Sequence, residues 1–289
     1  MQISERWNRQ NIALVLGAVR LFTAVLLGYL SFSGCANGPK VNRNLTLAEQ
    51  IREDRENTSG WSDVLTQKVS GSSHIEVEVR LRAIAEKVVA VRPELAISPI
   101  GVQIFDLKTV ESEGSALRVP AKFSIPGNRI YFSKQLLQLL EFENEFVGAL
   151  SIELAHILQR HAVIHASRQE ALSPSADRRA PEQGGVQNGV AHGAAVDFFS
   201  PAGIFAYTLS EEVEAARLAV GLIYQTGYDA RGLVSYLRKL QTLEVGVPSG
   251  SFIMIEKVVR EEMTKLPPLR NPIVQTADFE ELRKRMRKL

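Results

Sequence analysis

The decisive segment of this chain is Ser151-Ile152-Glu153-Leu154-Ala155-His156, inside the apolar run N-E-F-V-G-A-L-S-I-E-L-A-H-I-L-Q-R-H-A that extends from residue 144 to residue 162. On a helix, residues four apart lie on one face, so positions 152 and 156 project together. Two histidines at that spacing can hold one Zn²⁺, with a glutamate between them beside the metal-bound water. Here Glu153 and His156 are present, but Ile152 takes the place of the first histidine and cannot bind a metal. The segment therefore predicts a helix with an incomplete pair of metal ligands.

Three further blocks accompany this helix in a characteristic order. They are residues 123–131 (F-S-I-P-G-N-R-I-Y, followed by Leu136-Leu137), residues 210–219 (S-E-E-V-E-A-A-R-L-A) and residues 227–229 (G-Y-D). With the motif helix, they resemble metallopeptidase family forty-eight, the HtpX and CAAX-prenyl-protease type, over roughly residues 75 to 240. The corresponding family patterns are N-A-F-A-L-P-G-G-x-I-Y, H-E-L-A-H, E-x-x-A-D-R and G-Y-D. The resemblance implies a helix-rich, α+β, zincin-like fold with a small sheet packed against the motif helix.

The resemblance also implies roles for individual residues. Glu153 would be the general base, His156 a zinc ligand and Glu212 the third ligand. Two positions depart from the pattern at the site itself, because Ile152 replaces the first ligand and Ala216 replaces the aspartate of E-x-x-A-D. Two more departures also fall at positions that the resemblance assigns to the chemistry. Ala121 stands where the family has asparagine, and Arg270-Asn271-Pro272 falls where many members have His-Pro.

The loss of the first histidine at Ile152 and of the aspartate at Ala216 argues for an inactive or weak enzyme. Losing an outer partner of a metal site alone costs about 10–100-fold in metal affinity or activity, and a lost ligand should cost more because catalytic zinc normally keeps three protein ligands. The expected cofactor is therefore zinc, if any. Another histidine could replace the lost ligand. His161 lies about 140° around the helix from His156 and could reach the site only if the helix broke, whereas His192 lies in a glycine-rich stretch that could fold over the cleft.

Three functions remain open at this point. The first is a pseudopeptidase that keeps the family fold and its groove along residues 123–131 to bind polypeptides or an envelope partner protein. The second is an active zinc endopeptidase of envelope protein quality control with a non-standard ligand set. The third is a site for a different metal, or a purely structural lipoprotein.

The N-terminal residues predict a membrane tether. Arg6 and Arg9 precede an apolar run that ends at Ser33-Gly34-Cys35, which is typical of a bacterial signal peptide over residues 1–34 with a lipobox-like site. Cys35, the only cysteine of the chain, would carry the lipid. This predicts a lipoprotein of the cell envelope, at the outer membrane and facing the periplasm. The alternatives are an inner-membrane location and an uncleaved anchor from about residue 12 to residue 34.

Composition and periodicity predict the organisation of the remainder. Residues 35–73 are polar and predict a tether with one short helix, and residues 74–289 predict one domain. Helices are expected at about 75–91, 133–141, 143–168, 208–226, 229–244, 251–265 and 279–289, and strands at 101–105 and 129–132. Residues 168–205 predict a lid or a flexible insertion. With 34 basic and 32 acidic residues, the chain offers no electrostatic argument for nucleic-acid binding.

Overall fold

The computed structural model describes residues 45–69, 74–96, 98–106, 121–172, 198–199, 203–242 and 249–289. Within these ranges the helices are α1 (Leu47–Asn57), α2 (Ser59–Lys68), α3 (Ile75–Val89), α4 (Lys134–Leu139), α5 (Glu143–Leu158), α6 (His161–Leu172), α7 (Leu209–Gln225), α8 (Arg231–Thr242), α9 (Ser249–Thr264) and α10 (Ala277–Met286). The strands are β1 (Gly101–Phe105), β2 (Lys122–Ile125) and β3 (Arg129–Ser133). The predicted α+β, helix-rich architecture is confirmed.

The three strands form one mixed sheet in the order β1-β3-β2. β1 runs parallel to β3, with Gly101 opposite Arg129, while β2 runs antiparallel to β3, with Lys122 opposite Phe132. A tight turn joins β2 to β3, and Gly127 and Asn128 adopt left-handed conformations there (φ 90° and 61°) that glycine and asparagine tolerate best. β2 was missed as a strand in the sequence, although three of its four residues, 123–125, lie inside the groove segment predicted at residues 123–131. As the last strand in the order, it forms an edge of the sheet.

Two hydrophobic clusters cover the two faces of this sheet. The larger cluster joins α5, α7 and α8 to side chains such as Val102, Ile130 and Phe132 on one face. The smaller one, on the other face, gathers Phe123 and Tyr131 with aromatic side chains from α2 and from residues 198–205. Each cluster removes a continuous apolar surface from water, which is the main favourable contribution to folding. The small sheet therefore packs against the motif helix α5, as predicted.

Residues 47–69 form two helices that belong to the folded unit rather than to a tether. Thr46 caps α1 through a reciprocal pair of hydrogen bonds with Glu49. Ile51 of α1 and Leu65 of α2 are fully buried in the two clusters. The polar composition of this segment suggested a tether. The sequence does not show that polar groups such as the Asp54 carboxylate make contacts within the fold, in this case with Arg160.

The predicted helix over residues 143–168 is interrupted. α5 ends at Leu158 and α6 begins at His161, since Arg160 adopts a left-handed conformation (φ 61°) that an α-helix cannot continue. The Arg160 guanidinium donates two hydrogen bonds to the Asp54 carboxylate at 2.6 and 2.8 Å and one to Gln50 at 2.7 Å. A bidentate pair with α1 therefore holds the break between α5 and α6.

Several predictions concern residues outside the described ranges. These are the signal peptide, Cys35, His192 and most of the stretch 168–205. Within the described part, the structure contains no helix with the length and apolar character required to cross a lipid bilayer.

Candidate active site

The motif residues lie where the helices α5 and α7 pack together. α5 carries Glu153 and His156 at its C-terminal half, and α7 carries Glu212 in its first turn. Thr208 caps α7 by accepting a hydrogen bond from the Glu211 backbone, while the Glu211 carboxylate accepts one from the Thr208 backbone. This cap fixes the start of α7 and thereby the direction in which Glu212 projects.

The structure brings His156 and Glu212 together. His156 Nε2 lies 3.6 Å from Glu212 Oε2, too far for a hydrogen bond, and this nitrogen is buried with no hydrogen-bond partner among the described residues. Burial alone would raise the pKa of Glu212, but the adjacent His156 imidazole and the Lys122 ammonium hold it at about 2. Glu212 is therefore an anion over the whole physiological pH range.

The two substituted positions are parts of the core. Ile152 is 2% exposed and Ala216 is fully buried, and both belong to the larger hydrophobic cluster. Neither side chain can donate or accept a hydrogen bond or bind a metal. Both positions therefore contribute to the core and offer no metal ligand.

A lysine that the sequence motifs did not reveal contacts Glu153 from the edge strand of the sheet. Lys122 on the edge strand β2 places its ammonium 2.5 Å from Glu153 Oε1, with the two side chains 13% and 2% exposed. Burial opposes the charged form, yet attraction from Glu153, Tyr236 and Glu212 raises the pKa of Lys122 above its usual range. The family pattern N-A-F has alanine at the position of Lys122. The lysine in place of that alanine was the feature of the sequence that could have indicated a cation near the site.

The break at Arg160 brings His161 beside His156, contrary to the expectation for a continuous helix. Their Nδ1 atoms are 2.8 Å apart, so one ring donates and the other accepts. His161 Nε2 points towards Glu214 Oε2 at 3.6 Å. Burial and the neighbouring His156 lower the pKa of His161, which favours its neutral form. His161 is thus the hydrogen-bonding partner of His156.

Tyr207 covers the histidines. Its ring stacks on the His156 imidazole, with centroids 4.0 Å apart and planes inclined by 15°. Burial, together with the carboxylates Glu153, Glu212 and Glu211, raises the pKa of Tyr207 well above its ordinary value. The protonated hydroxyl has no hydrogen-bond partner among the described residues. His156 and Tyr207 also line a small cavity together with residues of α1, β2 and α6.

The residues present do not fit the catalytic zinc ion of this type of site. Among the described residues, only His156 and Glu212 face each other as possible metal ligands, whereas a catalytic zinc ion normally takes three protein ligands and a water. The glutamate that would act on that water is paired with an ammonium group. Among the described residues, no three His, Cys, Asp or Glu side chains are grouped to hold a metal ion.

Comparison with known proteins identifies the family. The model of peptidase family M48 matches residues 118–276, more than half of the 289-residue chain. A curated relative, the beta-barrel assembly-enhancing protease of Yersinia pestis, is 24% identical over 123 residues, which cover 41% of this chain and 25% of the relative. The matched region thus spans about a quarter of that protein. By the extent of the family match, this chain belongs to peptidase family M48.

Proposed function

We propose that this protein is a pseudopeptidase of the bacterial cell envelope, which uses a family M48 cleft to bind polypeptides or a partner protein without hydrolysing them. The observation that carries the proposal is the incomplete ligand set. Ile152 is buried in the core at the position of the first ligand. Among the described residues of the cleft, His156 and Glu212 are then the only possible metal ligands that face each other. Two ligands are fewer than catalytic zinc requires.

The edge strand β2 supports polypeptide binding. The Ser133 backbone N–H donates to the Ala121 carbonyl. In an antiparallel pair, residues 121, 123 and 125 therefore direct their backbone N–H and C=O groups towards β3. The backbone groups of Lys122 and Ser124 then point away from the sheet. An extended peptide could pair with them as an additional strand. A protein without catalysis could retain this mode of binding, because fold and activity separate readily.

We also propose that the chain is tethered through a lipid on Cys35, at the outer membrane and facing the periplasm. The N-terminal pattern of Arg6 and Arg9, an apolar run and small residues before Cys35 supports this location. The relative's name refers to β-barrel assembly. Envelope polypeptides that have not yet folded are therefore the partners we propose, and nucleic acid is not among them.

An active zinc endopeptidase is the second candidate function. Glu153 Oε2 and His156 Nε2 are both buried without hydrogen-bond partners among the described residues, and such atoms ordinarily mark a bound water or ion. On this alternative, a further side chain or additional water would complete the coordination.

The deciding experiment measures zinc and proteolysis on the full chain, purified in mild detergent without a histidine tag. We expect less than about 0.1 zinc per chain after dialysis, as two ligands hold zinc weakly, and no cleavage of an unfolded casein substrate. One zinc per chain, with cleavage that Glu153→Gln abolishes, would establish the enzyme instead.

Polypeptide binding is tested at the edge strand. Ser124→Pro removes the outward N–H, which an edge strand tolerates, and should weaken binding of an extended model peptide at least tenfold. Ser124→Ala is the matched control, because it removes only the hydroxyl that donates to the Glu153 carbonyl at 3.1 Å. Equal binding by both variants would argue against pairing along β2.

A further inference from the structure

The Lys122–Glu153 pair is the least exposed Lys–Glu ion pair in the described part of the structure. A buried carboxylate with no partner is very unfavourable, and the usual remedies are a cation, several hydrogen bonds or protonation. Glu153 Oε1 accepts from the Lys122 ammonium at 2.5 Å, whereas Oε2 has no partner among the described residues. Lys122 therefore provides the principal compensation for the Glu153 charge.

The same ammonium acts on a second carboxylate. Besides its ion pair with Glu153, the Lys122 ammonium lowers the pKa of Glu212 through its charge, and the Glu212 carboxylate in turn raises the pKa of Lys122. This cation comes from the edge strand β2, whereas the carboxylates belong to α5 and α7. One positive charge thus interacts with both anions of the cleft. It would strongly repel a second cation close to it, because charges interact more strongly in a buried, low-dielectric environment.

We propose that Lys122 is a resident cation of this cleft, which balances Glu153 and Glu212 and excludes divalent metal ions from them. The inference rests on the proposed function and deepens it, since it gives a physical reason for a cleft that keeps both carboxylates and holds no metal ion. It also explains why Glu153 persists without a metal-bound water to act upon. Lys122 is a positioning residue, because it acts through the two carboxylates.

The test compares zinc binding by Lys122→Met and by the unchanged full chain, in competition with a chromogenic chelator. Methionine keeps most of the side-chain volume and removes the charge, which leaves the buried Glu153 carboxylate without its counter-ion and able to attract another cation. We expect the affinity for zinc alone to rise at least tenfold. Lys122→Arg, which keeps the charge, should bind zinc as weakly as the unchanged chain.

Lys239→Met is the matched control. Lys239 pairs at 2.8 Å with the fully buried Glu145, eight residues before Glu153 on α5 and so about 12 Å along the helix. This variant should lose stability without gaining zinc. The same affinity for zinc in Lys122→Met, Lys239→Met and the unchanged chain would overturn the proposal.

If Lys122→Met does not fold, a double variant still tests whether Lys122 compensates the Glu153 charge. The double variant Lys122→Met with Glu153→Gln removes both charges, so it should recover at least half of the loss in melting temperature caused by Lys122→Met alone. A double variant as unstable as the sum of its single changes would contradict charge compensation. Failure of the proposed function would look different, because there the unchanged chain itself would hold one zinc and cleave casein.

Discussion

The two halves of α5 differ in how completely their polar groups are satisfied. In the N-terminal half, the buried Glu143 and Glu145 accept hydrogen bonds from several donors each, and Asn144 donates to the Asp229 carbonyl. In the C-terminal half, unpartnered atoms accumulate among the described residues: Ser151 Oγ, Glu153 Oε2 and His156 Nε2. A half that is fully bonded and closely packed fixes the fold, whereas unpartnered buried groups are typical of a surface that receives a ligand.

The closest packing of the N-terminal half should be the most sensitive to change. A Cβ added at Gly232 of α8 would lie 2.5 Å from backbone and side-chain atoms of Asn144. Because backbone has to move, Gly232→Ala should lower the free energy of unfolding by about 3 kcal/mol or more. Urea denaturation measures this loss.

Gly221→Ala is the control for that experiment, since nothing lies within 4 Å of the added Cβ in α7. This variant should be neutral, or up to about 1 kcal/mol more stable, from helix propensity alone. Equal effects at the two glycines would show that contact with α5 is not what restricts position 232.

The break after α5 should be the next most sensitive feature. Asp54→Asn removes the charge that pairs with Arg160, and removing one partner of a buried pair costs about 3 kcal/mol. The variant should also loosen the His156–His161 contact, because the break positions His161. Histidine side-chain NMR reports that hydrogen bond directly.

Glu56→Gln, at an exposed position on the same helix, is the matched control. It should leave both stability and the histidine signals unchanged. An intact histidine hydrogen bond in Asp54→Asn would mean that the left-handed Arg160 persists without its partner in α1.

A hydroxyl in the satisfied half should contribute less than an ion pair. Tyr228 donates to Glu143 at 2.5 Å, and the same carboxylate accepts from the Thr276 backbone at 2.8 Å. Tyr228→Phe should cost about 1–2 kcal/mol, because Glu143 loses one donor and keeps others. Thermal unfolding detects this as a lower melting temperature, and an unchanged one would mean that Thr276 alone satisfies Glu143.

Acid should weaken the fold through Glu212. Its pKa of about 2 lies below the ordinary value of 4.5, so its ionisation stabilises the native state above pH 4.5. That contribution is lost as the pH falls from about 4.5 to 2. Since the side chain is 33% exposed, the effect should be modest. Glu212→Gln should flatten the pH dependence of the unfolding free energy in this range.

The sequence predicted the local elements better than the contacts between them. Periodicity predicted the ranges of β1, α3, α7 and α8 to within a few residues, because each element's own residues carry its pattern. The break at Arg160 was missed because its cause is a carboxylate more than 100 residues earlier in the chain. The same limit applies to Lys122, whose partner Glu153 is brought close by the tertiary fold.

The hydroxyl of Tyr207 gives the smallest expected effect and the sharpest contrast with Tyr228. It is buried over His156 without a hydrogen-bond partner among the described residues, so Tyr207→Phe removes a desolvated group and loses no bond. The unfolding free energy should change by less than about 0.5 kcal/mol, or rise slightly. A loss as large as that for Tyr228→Phe would reveal a partner for this hydroxyl and would place the C-terminal half of α5 among the satisfied parts of the fold. A near-zero change, with peptide binding altered in the same variant, would identify the unpartnered hydroxyl as a group that meets the bound polypeptide.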